Sequence, residues 1–144
     1  MKVAIYARVT RKKYLSCLEM QLKRLRDYCK NMDYEIVLEV SDIASGVNEK
    51  RRGLRHLMDM AKSGNFSKLI VDSEERLARF GIEYLRMFFK SFGVEIEEIG
   101  CENCVSLQHE LAEDLIAIVS LLTRRLCGLL QFNKIKKEEM SNEV

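Results

Sequence analysis

Apolar positions along the chain follow two alternating periods. Val3-Ala4-Ile5-Tyr6-Ala7 is a short unbroken apolar run, the pattern of a buried strand. Leu18, Leu22, Leu25 and Cys29 then recur at helical spacing with Lys23, Arg24 and Arg26 between them, which predicts an amphipathic helix from Leu15 to Asn31. Tyr34 to Val40, rich in β-branched residues, predicts a second strand, and Asp42 to Asn48 a loop. Leu54, Leu57, Met58 and Ala61 mark a second helix closed by Ser63-Gly64-Asn65. Lys68 to Asp72 predicts a third strand. Ile82, Leu85, Phe88, Phe89 and Phe92 mark a third helix ended by Gly93, and Val94 to Ile99 a fourth strand. This alternation predicts an α/β fold: a mainly parallel, four- to five-stranded sheet flanked by helices, with a functional site at the carboxyl ends of the strands.

From Val105 to about Lys136 the pattern becomes one long helix. Leu111, Leu115, Ile118, Val119, Leu122, Leu126 and Leu129 recur every three or four residues. Such a helix is longer than a small domain ordinarily uses, and its stripe is expected to continue onto a second copy of the chain, making it an oligomerisation helix. The expected organisation is therefore a core over 1–104, an interface helix over 105–136 and a flexible tail over 137–144.

Composition narrows the class. At 144 residues, 47% apolar and 32% charged, the chain is expected to fold as one soluble domain with a sizeable core. No apolar run is long enough to span a bilayer. Five cysteines, an odd number, point to a reducing, cytoplasmic setting rather than a disulfide framework. The net charge of +2 conceals an asymmetry: Met1–Lys30 holds 9 Lys/Arg against 2 Asp/Glu, and the remainder 15 against 20. A basic first third fits a polyanionic partner met on one face, or else a solvated helix surface.

The strand exits carry the candidate chemistry. Arg8 and Thr10 follow the first strand, Asp42 and Ser45 the second, and Glu75, Arg76 and Arg79 the third, so three exits converge on one sheet edge. A hydroxyl among guanidiniums is equipment for attacking a phosphodiester without a metal, because arginine matches phosphate oxygens and keeps its charge. In that reading Thr10 is the nucleophile, forming a covalent phosphoprotein link, and Glu75 orients an arginine or handles a proton. For Arg76 and Arg79 the bland alternative is a charged helix N-terminus, although cations there oppose the helix dipole.

These segments carry a resemblance. Tyr6-Ala7-Arg8-Val9-Thr10, Leu18-Glu19-Met20-Gln21, Asp42-Ile43-Ala44-Ser45-Gly46, Arg51-Arg52-Gly53-Leu54 and Glu75-Arg76-Leu77-Ala78-Arg79-Phe80-Gly81, in this order from Met1 to roughly Leu130, resemble the catalytic domain of the serine recombinases. The stretch Glu110 to Val119, followed by Arg125-Leu126-Cys127-Gly128, resembles in particular the small recombinase-type transposases of insertion sequences. The resemblance implies a resolvase-like fold and site-specific recombination or transposition of double-stranded DNA, with no metal or other cofactor. It implies that Arg8, Arg51, Arg76 and Arg79 contact the scissile phosphate and that Gln21, Asp42 and Ser45 support the site. It also implies that the long helix forms a homodimer, and a tetramer in the synaptic complex.

Three departures from the family pattern stand out. The family nucleophile is serine, whereas Thr10 carries an extra methyl that makes it stiffer and more crowded, so a severe loss of rate is expected. Glu75 stands where the family usually has aspartate. Arg11-Lys12-Lys13 replaces a more polar segment. The family also pairs this domain with a separate DNA-binding domain, for which neither end of the chain leaves room; alone, the chain is expected to bind DNA weakly and with little sequence preference. A second reading is thus an inactive oligomerisation or regulatory module, and a distant third a small-molecule phosphoryl enzyme.

The remaining signals are weak. Cys101-Glu102-Asn103-Cys104 is a CxxC with only His109 and Cys127 as nearby further ligands, so it is read as ordinary thiols. His56 and His109 are read as helix-surface residues, and Ser16, inside the predicted first helix, as a poor substitute nucleophile.

Overall fold

The computed structural model describes residues 1–45, 48, 50–100 and 105–142, with 105–107 and 130–142 described by backbone alone. Four strands, β1 (Lys2–Val9), β2 (Glu35–Ile43), β3 (Lys68–Val71) and β4 (Glu95–Glu98), pair in the order β2-β1-β3-β4, every pair parallel. The helices are α1 (Leu15–Asn31), α2 (Arg52–Lys62), α3 (Glu74–Leu77), α4 (Ile82–Ser91) and α5 (Val105–Asn142), with a 3-10 turn at Lys12–Tyr14. The first chain crossover runs from β1 to β2 on one side, and the next element, β3, pairs on the other side of β1. The sheet order therefore reverses at β1, the place where such sheets open a crevice.

Strand β1 is buried from Val3 to Val9, and its alternation assigns the two faces. Val3, Ile5, Ala7 and Val9 pack with Leu18, Leu22, Leu25 and Cys29 of α1. Ala4 and Tyr6 pack on the other face with Leu54 and Leu57 of α2, Leu77 of α3 and Phe89 of α4. Helix α1 has the predicted boundaries because its end is closed by backbone geometry. Asp33 adopts φ 61°, and the amides of Asp33 and Tyr34 donate back to the carbonyls of Lys30 (3.2 Å) and Cys29 (2.8 Å). Gly93, at φ 76°, closes α4 in the same way.

The sheet has four parallel strands among the described residues, within the four to five expected. Three features differ from the pattern-based expectation. Strand β2 continues through Ser41-Asp42-Ile43, because the half-buried Asp42 is satisfied by hydrogen bonds that no hydrophobic pattern reveals. Helix α3 is a four-residue helix inside the segment expected to begin a longer one. Helix α5 continues to Asn142, through most of the segment drawn as a tail. The chain divides into two compact units, 1–110 and 111–144, so α5 through Glu110 belongs with the sheet. In the second unit Leu115, Val119, Leu122 and Leu126 are exposed, Leu111 only just so, and Ile118 is half-buried. Among the described residues no helix is long and apolar enough to cross a membrane.

Candidate active site

The site is built around the short helix α3. Ser73 caps its start, the Ser73 hydroxyl accepting from the Glu75 amide at 3.4 Å. The carbonyls at its end have no partner within the helix and need one. Two arginines supply it. Arg8, at the exit of β1, donates from Nε to the Arg76 carbonyl (2.8 Å), from Nη2 to the Glu75 carbonyl (2.7 Å) and from Nη1 to the Ala44 carbonyl (2.9 Å). Arg51, just before α2, donates from Nη1 to the Arg76 carbonyl (3.0 Å), from Nη2 to the Leu77 carbonyl and from Nε to the Asn48 carbonyl (2.9 Å). Cations at a helix C-terminus are favoured by the dipole. Arg76 is itself in the last turn of α3, not at a helix N-terminus as the sequence alternative supposed, so its charge there is favourable.

Arg76 completes an interlock with β1. Its Nη1 donates to the Arg8 carbonyl at 2.9 Å and pairs with the Glu110 carboxylate, while Arg8 caps the carbonyl of Arg76. The other Glu110 oxygen accepts from the Thr10 amide at 3.3 Å. Gln21 of α1 clasps the same strand, accepting from the Arg8 amide (3.3 Å) and donating to the Arg8 carbonyl (3.1 Å). Arg79, between α3 and α4, pairs with Glu75 at 2.7 Å.

Asp42, paired across the sheet with Arg8, serves the start of α2. Its carboxylate accepts from the amides of Gly53 (2.8 Å) and Leu54 (2.9 Å), the second and third residues of α2, and from the Tyr6 hydroxyl (2.8 Å). This is an N-cap supplied by a neighbouring strand; Arg51, the residue before the helix, provides no side-chain cap. Gly53 is required at that position, since a Cβ there would lie 2.6 Å from Asp42 Oδ1. Tyr6 in turn accepts from Arg51 Nη1 at 3.1 Å, linking the cap to the arginine cluster. Burial holds the Tyr6 phenol well above its ordinary range, with Arg51 pulling the other way, so it stays a protonated donor. At the exit of β3, burial also raises the Asp72 carboxyl, opposed by Arg24 at 2.7 Å and by Arg76.

The convergence of the three strand exits thus places Arg8, Arg51, Arg76, Glu75 and Asp42 in one bonded network, with Thr10 joined to it through its amide. Ser45 follows β2, and its carbonyl accepts from the Asn48 amide (3.0 Å). Arg8, Arg51 and Arg76 are 0, 4 and 1% exposed, so these guanidiniums hold backbone carbonyls and carboxylates in the interior instead of lining an open surface. His56 and His109 are exposed, as expected of helix-surface residues. The Cys101–Cys104 motif lies outside the described residues.

A family model for the resolvase N-terminal domain matches residues 3–139. The chain belongs to the resolvase family. Solved structures agree with that assignment. The C-terminal catalytic domain of ISC1926 TnpA, an IS607-like serine recombinase, is 33% identical, with a TM-score of 0.83 over 88% of this chain and 86% of that one. The first open reading frame of transposon ISC1904 from Sulfolobus solfataricus P2 is 34% identical, with a TM-score of 0.77 over 95% of each chain. A resolvase-named protein of Acanthamoeba polyphaga mimivirus is 32% identical over 125 residues, 85% of this chain and 62% of that protein. The resolvase-family chain spans less than two-thirds of the length of the curated relatives it matches.

Two members of this resolvase-family site escaped sequence reasoning. Tyr6 reads as one more apolar residue of a buried strand, and only its hydroxyl, unneeded for packing, hinted otherwise. Glu110 reads as a polar position on a long helix; its one signal is a place on the sheet-proximal start of that helix.

Proposed function

We propose that this chain is the catalytic part of an enzyme that cuts and rejoins double-stranded DNA through a covalent bond between Thr10 and a backbone phosphate. The observation that carries this reading is the gathering of Arg8, Arg51 and Arg76 at the sheet's switch point, with Thr10 two residues beyond Arg8. In cleavage the Thr10 Oγ1–phosphorus bond forms and the phosphorus–sugar oxygen bond breaks. The hydroxyl proton leaves to water or to a carboxylate such as Glu75, and the departing sugar oxygen takes up a proton. Rejoining is the reverse attack by a sugar hydroxyl, so the ester conserves the bond energy and no high-energy cofactor is needed. Guanidiniums on the non-bridging oxygens stabilise the charge that builds in the transition state, each by about 3 kcal/mol if they act like single oxyanion donors. To do so, Arg8 and Arg76 exchange some of their carbonyl partners for phosphate oxygens.

The partners follow the same reading. Arg11, Lys12 and Lys13 place positive charge directly after Thr10, suited to flanking DNA phosphates. The exposed stripe from Leu111 to Leu126 suits a second copy of the chain, giving a homodimer and, with two DNA sites, a tetramer. A second reading is favoured by the buried guanidiniums together with threonine at the nucleophile position: an assembly module of the same family without chemistry.

Incubation with nicked or mispaired crossover-site DNA separates the two. A denaturation-resistant adduct mapping to Thr10 supports the enzyme. An adduct formed only by Thr10→Ser identifies a competent fold behind a weakened nucleophile. No adduct from either protein overturns the enzyme in favour of the module.

A further inference from the structure

We propose that Glu110 is an internal stand-in for the DNA phosphate, occupying the anion seat beside Thr10 until a phosphodiester displaces it. The inference rests on the reading that a phosphate docks next to Thr10, and it adds a gatekeeper to that site.

Three observations meet here. The Glu110 carboxylate bridges the Arg76 guanidinium and the Thr10 backbone amide, one oxygen on each. A guanidinium and a backbone amide converging on one anion form a phosphate-binding arrangement as much as a carboxylate-binding one. The seat is interior: Glu110 is 0% and Arg76 1% exposed. The Arg76 guanidinium is also incompletely used by the carboxylate. Its Nε is buried with no hydrogen-bond partner among the described residues, although the group is flanked by the Arg8 carbonyl and Glu110. The guanidinium therefore keeps a donor that the carboxylate does not use and that a phosphodiester, with oxygens in more directions than a planar carboxylate, has the acceptors to engage.

Charge makes the two anions exclusive. A carboxylate and a phosphodiester each carry one negative charge, so exchanging them leaves the seat's charge unchanged. Holding both would put two like charges within a few ångströms in a medium where they are poorly screened. Glu110 therefore competes with DNA for Arg76 and the Thr10 amide. It also holds the nucleophile's own backbone through that amide, so displacement frees the Thr10 segment at the moment phosphate arrives.

The test uses the full chain with a labelled Thr10 amide, titrated with inorganic phosphate and then with a short DNA duplex. Glu110→Gln keeps shape and one acceptor but removes the competing charge. It should bind phosphate at the Thr10 amide roughly ten times more tightly than the wild type, a difference of about 1.4 kcal/mol. In a Thr10→Ser background it should raise the yield of covalent adduct. Equal or weaker phosphate binding by a folded Glu110→Gln protein overturns the proposal and leaves Glu110 as a residue that positions Arg76. Should Glu110→Gln not fold, Glu110→Asp serves instead. Its shortened carboxylate should loosen the bridge and raise phosphate affinity, and affinity equal to or below the wild type's overturns the proposal. Tighter phosphate binding without any adduct upholds the seat and removes the strand-exchange reading, so the two failures are distinguishable.

Discussion

Replacing Asp42 by alanine tests the strand-supplied cap most directly. The carboxylate serves three donors: the Gly53 and Leu54 amides at 2.8 and 2.9 Å and the Tyr6 hydroxyl at 2.8 Å. Loss of an N-cap costs about 0.5–2 kcal/mol, and a hydrogen bond to a charged group contributes about 1.5–3 kcal/mol. The contributions overlap, because the α2 amides are only partly buried and regain some water. The expected loss for Asp42→Ala is therefore about 3 kcal/mol, well short of the sum. Asp42→Asn keeps one acceptor for an amide but turns a donor toward the other, so it should lose about half as much. Urea unfolding followed by circular dichroism reads the difference. With a slope of about 2 kcal/mol per molar, Asp42→Ala should move the midpoint down by about 1.5 M. An alanine variant within about 0.5 kcal/mol of the wild type would refute the cap.

Gly53→Ala should act through the same carboxylate, since its Cβ would stand 2.6 Å from Asp42 Oδ1; a thermal melt should show a loss of about 1–3 kcal/mol. Gly128→Ala, with nothing within 4 Å, should instead raise helix content, by up to about 1 kcal/mol of propensity. Burial raises the Asp72 carboxyl in the folded state, so folding takes up a proton as the pH falls through that raised value toward the ordinary aspartate value of 3.8. This group's contribution is thus most favourable at acid pH and is lost as pH rises. The melting temperature of Asp72→Asn relative to wild type should accordingly climb with pH across that window, and a falling difference would refute the assignment. Val119→Glu, at a position 60% exposed, should abolish self-association in sedimentation velocity; unchanged sedimentation would remove the stripe as an interface.

The elements that sequence reads well are those with many repeats of one period. Helix α1 announces itself through Leu18, Leu22, Leu25 and Cys29, and the burial of β1 through an unbroken apolar run. Helix α3 is invisible to periodicity because four residues make barely one turn, and its stability comes from Ser73 before it and two distant arginines after it. The chemistry-bearing types at the strand exits are legible, and the parallel sheet brings most of them together. Their state is not. Arginine in a sequence suggests an exposed cation, yet Arg8 and Arg51 are largely consumed by the end carbonyls of α3, which are presented together only once α3 has formed. Asp42 looks like the start of a loop because its partners, Gly53 and Leu54, belong to another element.

The separation in sequence of the bonded pairs has a kinetic consequence. Arg8 joins a carbonyl 68 residues away, and the Thr10 amide a side chain 100 residues away. Contacts of that range form late, after the entropy of closing large loops has been met. On the ribosome, at about 5–20 residues per second, the segment bearing Thr10 waits roughly 5–20 s before Glu110 has even been made. A nascent chain therefore carries Thr10 long before it carries Glu110, and the bonded network at the strand exits closes only when nearly the whole sheet-bearing unit has been synthesised.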